Sequence, residues 1–231
     1  MLSRGELDVA PCSSIELARH GRDYLALGGL CIGSRGPVES ITLISRLPLP
    51  ELEGELVALP DASATSRSLL RVLLHLRFGV APRWIEFRQE VDAPLERADV
   101  AAALFIGDVA LRRPAQESFQ CLDLGALWTE WTGLPFVYAL WQVRRAAAGR
   151  PWLSELHECL LSARDALPDA LPALAAAAAS RFGLPPARLE RYWAGIRYTL
   201  DQEMLDGLGR FFELAAEIGD APREAAVPLF G

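Results

Sequence analysis

The sequence predicts an α/β fold of two lobes with a helical C-terminal part, and three observations carry that reading. Short apolar runs alternate with helical patterns through the first third of the chain. The same alternation restarts after a connector marked by Pro48, Pro50 and Gly54, and helical periodicity then dominates beyond about residue 150. With 231 residues, 51% of them hydrophobic, the chain has ample apolar material for two modest cores.

Taken in order, Leu7-Asp8-Val9-Ala10 reads as a buried strand, Ser13 or Ser14 as the N-cap of a helix ending at His20, and residues 30–33 as a second strand. Gly36-Pro37-Val38-Glu39-Ser40 is rich in turn formers and leads into a strand over residues 41–45. This alternation favours a parallel sheet with helices on its faces. After the connector come a strand at 56–59, the turn Pro60-Asp61-Ala62-Ser63-Ala64-Thr65-Ser66, and a helix from about 66 to 76 carrying Leu69, Leu70, Leu73, Leu74 and Leu76. A strand at 84–87, a helix at 95–102 and a strand at 104–106 ending in Gly107-Asp108 complete that part. Residues 136–141 have strand composition. Four helices follow, over 151–164, 169–182, 186–194 and 201–218, with Pro186 at one start and Asp201 as an N-cap.

The expected division places residues 1–47 and 134–231 in lobe 1 and residues 48–133 in lobe 2. One lobe inserted into another through two crossing strands is the threading of a hinged binding protein, whose ligand cleft lies at the carboxyl ends of the strands.

Charge and residue usage remove several functional classes. A net charge of −7 and a pI near 5.1 leave no basic footprint for nucleic acid. All 23 basic residues are arginines, so Schiff-base and phosphate-loop lysine chemistry is excluded. Cys12, Cys31, Cys121 and Cys159 are widely spaced and read as reduced thiols, and no Cys or His pair has metal-ligand spacing, so no metal site is expected. His20, His75 and His157 read as structural, each lacking a partner at motif spacing. The opening residues lack an apolar leader and no run reaches the length of a membrane span, which places the expected protein in the cytoplasm, away from membranes.

Candidate site residues follow from the carboxyl-edge rule. Ser63, Thr65 and Ser66 sit where a helix begins, and its free N–H groups and positive dipole end suit a carboxylate. Helix capping explains one hydroxyl equally well. Ser40 and Gly36 precede a crossing strand, Gly107 and Asp108 end another strand, and Ser13 follows the first. Ser40 has no His or Lys at motif spacing, so a substrate-orienting role fits it better than covalent attack.

Several of these segments together resemble one family. They are Gly5-Glu6-Leu7-Asp8-Val9-Ala10-Pro11, Gly36-Pro37-Val38-Glu39-Ser40, Ser63-Ala64-Thr65-Ser66, Ile106-Gly107-Asp108-Val109-Ala110-Leu111, and Asp123-Leu124-Gly125-Ala126-Leu127-Trp128 through Thr132-Gly133-Leu134-Pro135-Phe136. Their order and spacing, with Arg197-Tyr198 and the helix from Gly207-Leu208 to Phe212, are similar to the chorismate dehydratases of the futalosine route to menaquinone. The resemblance implies a type II periplasmic-binding-protein fold working as a cytoplasmic, cofactor-free lyase. Its substrate would be the dicarboxylate chorismate, converted to 3-[(1-carboxyvinyl)oxy]benzoate and water.

In that family the substrate's enolpyruvyl carboxylate takes the proton. Ser40 matches the family's cleft serine, and Thr65 and Ser66 match its anion-holding turn. Family members begin with a further segment of about forty to fifty residues carrying a strand and a loop asparagine, and Met1 falls after it, so a late-assigned start or a partial chain is expected. The alternatives are the sister enzyme forming 1,4-dihydroxy-6-naphthoate, against which the scattered histidines argue, and a cytoplasmic module that binds a carboxylate without turnover. Oligomeric state has no signature in the sequence.

Overall fold

Two separate sheets organise the chain in the computed structural model, which describes residues 1–113 and 118–231. In chain order the elements are β1 (Val9–Ser13), α1 (Ser14–His20), β2 (Tyr24–Ser34), β3 (Ile41–Ser45), β4 (Leu56–Pro60), α2 (Ala64–Val72), β5 (Arg83–Phe87) and β6 (Val100–Ile106). They continue with α3 (Gly107–Arg112), β7 (Gln120–Asp123), α4 (Leu124–Thr132), β8 (Phe136–Arg144), α5 (Pro151–Phe182), α6 (Pro186–Gly195), α7 (Gln202–Glu217) and β9 (Leu229–Phe230). One unit comprises Met1–Ser34 and Leu134–Gly231, the other Arg35–Gly133.

In the first unit the strand order is β1-β8-β2-β9. β8 is antiparallel to both β1 and β2, and β9 runs parallel to β2 through Ala26↔Leu229 and Leu27↔Phe230. β2 slips register against β8 between Ala26 and Cys31, where Gly29 takes φ +72, a conformation that glycine adopts without penalty. The outer edge of β2 is further closed by a two-way backbone exchange between Gly33 and Arg197, at 2.9 and 2.8 Å. Leu27, Leu30, Val143, Ala147 and Leu153 form the core on one face, and Phe136 meets Phe211 of α7 edge to face at 4.8 Å. His157 lies buried in α5, its Nε2 2.7 Å from the Gly28 carbonyl, which accounts for it structurally.

The second unit carries a mixed sheet of order β5-β4-β6-β3-β7. β4 is parallel to β5 and β6, whereas β3 is antiparallel to β6 and β7. Ala58, Ala103, Phe87 and Phe105 lie in its core, the two rings edge to face at 5.4 Å.

Four expectations are corrected here. The first sheet is antiparallel around β8 rather than parallel, since two of its strands come from the N-terminal part and the third returns from the far end of the inserted unit. Residues 35–47, expected in lobe 1, fall in the second unit, because β3 finds both its hydrogen-bonding neighbours there. The segment 95–102 is a short turn followed by the start of β6; its alanines favour helix locally, yet they fit a strand buried between β4 and β3, where small side chains leave room for the helices. The two helices expected over 151–164 and 169–182 are one 32-residue helix, α5, running through Pro168 and Pro172. Both prolines are exposed, so water can reach the carbonyls whose intrahelical donors they remove. Among the described residues no helix is long and apolar enough to cross a membrane.

Candidate functional site

The register of the second sheet decides which residues meet at one edge. Because β4 parallels β5 and β6, their carboxyl ends at Pro60, Phe87 and Ile106 lie on the same side. Antiparallel β3 brings its amino end there, Ile41 opposite Ile106, and antiparallel β7 brings its carboxyl end, Asp123 opposite Thr42. The loop before β3, the turn after β4, the Gly107-Asp108 step after β6 and Asp123 therefore share one edge, from which α2, α3 and α4 all start. This is where open α/β sheets take their ligands.

Ser40 sits at the start of β3, with only 5% of its surface exposed. Its carbonyl accepts from Gly107 N at 2.7 Å, and its N–H donates to Val38 O at 2.7 Å across Glu39, whose φ is +61. A three-residue turn with a positive φ at its centre is the rarer, strained γ-turn. The Ser40 hydroxyl has no hydrogen-bond partner among the described residues. Gly36, at φ +88, donates its N–H to Thr129 Oγ1 of α4 at 2.9 Å. Gly107 opens α3 at φ +58, and Asp108 is exposed in the first turn of that helix.

The hydroxyl turn resolves into two roles. Ser63, at φ +56, caps α2: its Oγ accepts from Ser66 N at 3.4 Å and lies 2.7 Å from Ser66 Oγ. Thr65 and Ser66 are fully buried. Glu39 and Ser63 are the two non-glycine residues with positive φ among the described residues, and both flank this edge. Such strain concentrates at functional loops. Ser13 belongs to the other unit, at the end of β1, where its carbonyl accepts from Gln142 Nε2 at 2.9 Å. The structure thus gathers Gly36, Ser40, Ser63, Thr65, Ser66, Gly107 and Asp108 in one unit and places Ser13 in the other.

Three residues of this edge went unassigned in the sequence. Asp123 accepts from backbone N–H groups on both sides of it, Gln89 pairs with Ile106 through both its amide atoms (3.0 and 3.2 Å), and Thr129 receives Gly36. Only Asp123 had a local signal, an N-cap residue between strand and helix. Burial pushes its carboxyl above the ordinary aspartate value, while the N–H groups of Ala126, Val38, Glu39 and Gly125 pull it back. No group of three or more His, Cys, Asp or Glu side chains among the described residues could hold a metal ion.

A mixed sheet gathering helix N-termini at one edge, in a chain that also builds a second sheet around β8 and a helical tail, is the fold of the periplasmic-binding-protein class. Solved structures agree on the fold. A crystallised protein from Archaeoglobus fulgidus matches with a TM-score of 0.70 at 22% identity, over 94% of this chain and 81% of its own. The alkanesulfonate-binding protein SsuA from Xanthomonas axonopodis pv. citri, bound to MOPS, matches with a TM-score of 0.66 at 18% identity, over 98% and 80%. Within that class, the sequence profile of the family described as Menaquinone biosynthesis matches residues 1–217. A chorismate dehydratase from Thermus thermophilus is 31% identical over 226 residues, which is 92% of this chain and 81% of the relative. A 1,4-dihydroxy-6-naphtoate synthase from the same organism is 33% identical over 134 residues, 57% of this chain and 46% of the relative. The chain belongs to the Menaquinone biosynthesis family.

Proposed function

We propose that the chain is a chorismate dehydratase acting in the cytoplasm, a lyase that converts chorismate to 3-[(1-carboxyvinyl)oxy]benzoate and water. The observation that carries this reading is the similarity to a chorismate dehydratase along 92% of the chain, against 57% for the naphthoate-forming relative.

The reaction removes the C4 hydroxyl and the C3 proton of the ring and leaves it aromatic. The driving force lies in the substrate, so the protein's task is to orient groups and stabilise developing charge. The enolpyruvyl carboxylate of the substrate accepts the C3 proton, the C4 hydroxyl departs, and the two leave as one water. Ser40 suits a donor to the departing hydroxyl: its backbone is pinned on both sides, and its Oγ is not committed to any described group. The first turn of α2 and the N-terminus of α3 supply N–H groups and positive dipole ends for the two substrate carboxylates. Thr65 and Ser66 belong to the first of these, Gly107 and Asp108 to the second, and Gly36 sets the loop before Ser40.

Incubation with chorismate, followed by ultraviolet spectroscopy and chromatography of the products, tests the reading. Appearance of the aromatic enol ether with loss of chorismate is expected. Binding without conversion would replace the reading with a carboxylate-binding module. Ser40→Ala is expected to lower kcat by at least tenfold with a smaller change in KM, because a transition-state donor is removed. An unchanged kcat would take Ser40 out of the mechanism.

A further inference from the structure

Ser40 does not hold itself in place. Val38 N reaches both carboxylate oxygens of Asp123, at 3.1 and 3.0 Å, and Glu39 N donates to Oδ2 at 2.7 Å. On its other side the same carboxylate accepts Ala126 N at 3.0 Å, capping α4. One half-buried side chain thus joins the start of a helix to the two residues that precede Ser40. The residues it holds are the ones under strain, because Glu39 has φ +61 and forms the tight turn that delivers Ser40 N to Val38 O. A residue held at positive φ without being glycine or asparagine costs about 1 kcal/mol or more and persists only where its surroundings over-determine it. Charge-assisted bonds from N–H groups to a half-buried carboxylate are among the stronger hydrogen bonds available for that purpose.

We infer that Asp123 is a positioning residue for Ser40: its carboxylate clasps the Val38 and Glu39 amides and so sets where the Ser40 hydroxyl points. The inference rests on the role proposed for Ser40 and adds a residue 83 positions further along the chain. Asp123 touches no reacting atom in this account. It acts through the backbone of residues 38–40, with the Thr129 bond to Gly36 as a second, weaker tether.

The informative substitution is Asp123→Ser. A serine still caps helices well, so α4 keeps its first turn, but its single short hydroxyl cannot serve Val38 and Glu39 as well as the cap. Asp123→Asn retains the shape and replaces one acceptor oxygen by a donor facing amides that also donate. Both variants are expected to lose about tenfold to hundredfold in kcat with KM for chorismate changed less than threefold, the size expected when a group is misplaced by about 1 Å. In a double-mutant cycle, Asp123→Ser combined with Ser40→Ala is expected to be no slower than Ser40→Ala alone, since a misplaced hydroxyl that is absent costs nothing more. Fully multiplicative losses would overturn the inference, as would a wild-type kcat in both Asp123 variants while Ser40→Ala is slow.

Hydrogen exchange supplies the readout that does not depend on turnover. In Asp123→Ser the amides of residues 38–40 are expected to exchange at least tenfold faster while the amides in the second half of α4 keep their protection. Unchanged exchange at 38–40 overturns the clasp even if activity falls. A wild-type kcat in Ser40→Ala overturns the Ser40 reading and the positioning role with it, whereas the exchange result stands by itself.

Discussion

Two glycines two residues apart in α7, on different faces of the helix, are expected to respond to alanine in opposite directions. A Cβ built on Gly207 lies 2.1 Å from the Pro135 carbonyl oxygen and 3.1 Å from its carbonyl carbon, whereas one built on Gly209 meets nothing within 4 Å. Carbon atoms do not approach closer than about 3 Å, so Gly207→Ala must push α7 and the segment leading into β8 apart by about 1 Å, and both partners are backbone rather than side chains that can swing away. Overpacking of that kind costs about 3 kcal/mol, and the helix propensity gained from alanine returns about 1, leaving a net loss of about 2 kcal/mol. At about 3 °C per kcal/mol for a chain of this size, Gly207→Ala is expected to lower Tm by about 6 °C. Gly209→Ala has only the propensity term and is expected to raise it by 2 to 3 °C, on the order of 1 kcal/mol. Scanning calorimetry of the parent and the two variants in one buffer measures both. A Gly207→Ala transition at or above the parent, or shifts of the same sign in the two variants, would refute the close packing of α7 on the segment before β8.

Burial holds the Cys31 thiol up to about 12, with Asp201 adding to the shift and Arg197 and Arg164 opposing it. An unfolded thiol ionises near 8.5, so the folded state keeps a proton that the unfolded chain loses: stability from this group is complete below pH 8.5 and falls as pH rises towards 12. Between pH 8 and pH 10 the parent is expected to lose about 1 to 2 kcal/mol more stability than Cys31→Ala, read from urea midpoints at the two pH values; parallel pH slopes would contradict a buried, protonated thiol. Asp201→Ala removes the acceptor that Met204 N meets at 2.9 Å at the start of α7, and about 1 kcal/mol of stability should go with it in chemical denaturation, while Asp201→Asn should retain most of it; equal losses in the two would show that the cap is not the source.

Much of the architecture was legible because it rests on local rules. The alternation of short apolar runs and helical patterns specifies an α/β chain in two parts, and Asp201 announces the start of α7 by the chemistry of an N-cap. What failed were features set by partners distant in sequence. Nothing within residues 41–45 says that the strand will lie between β6 and β7, so the unit boundary was placed thirteen residues too late. Alanines at 101–103 favour a helix in isolation, yet complete burial between two strands outweighs the few tenths of a kcal/mol per residue that propensity contributes. The break expected between residues 164 and 169 does not occur, because a proline on the exposed face of a long helix costs less than a break when the flanking Leu171 and Ala175 are buried.

The candidate site divides along the same line. Counting hydroxyls in Ser63-Ala64-Thr65-Ser66 suggested a surplus beyond capping, but Ser63 and Ser66 bond each other and the first turn of α2, so that much of the surplus is spent locally. Ser40 reads in the sequence either as a hydrogen bonder at a strand edge or as a substrate-orienting residue, and its hydroxyl is uncommitted among the described residues. The difference arises because the backbone donors around Ser40 are satisfied from a distance, by a carboxylate at the end of β7, rather than by the serine itself. A serine whose own loop needs its hydroxyl is a structural residue; one whose loop is tied down by another side chain can spend that hydroxyl on a ligand. Asp123 is therefore the residue that separates the two readings of Ser40, and a short sequence window around either residue contains no trace of the other.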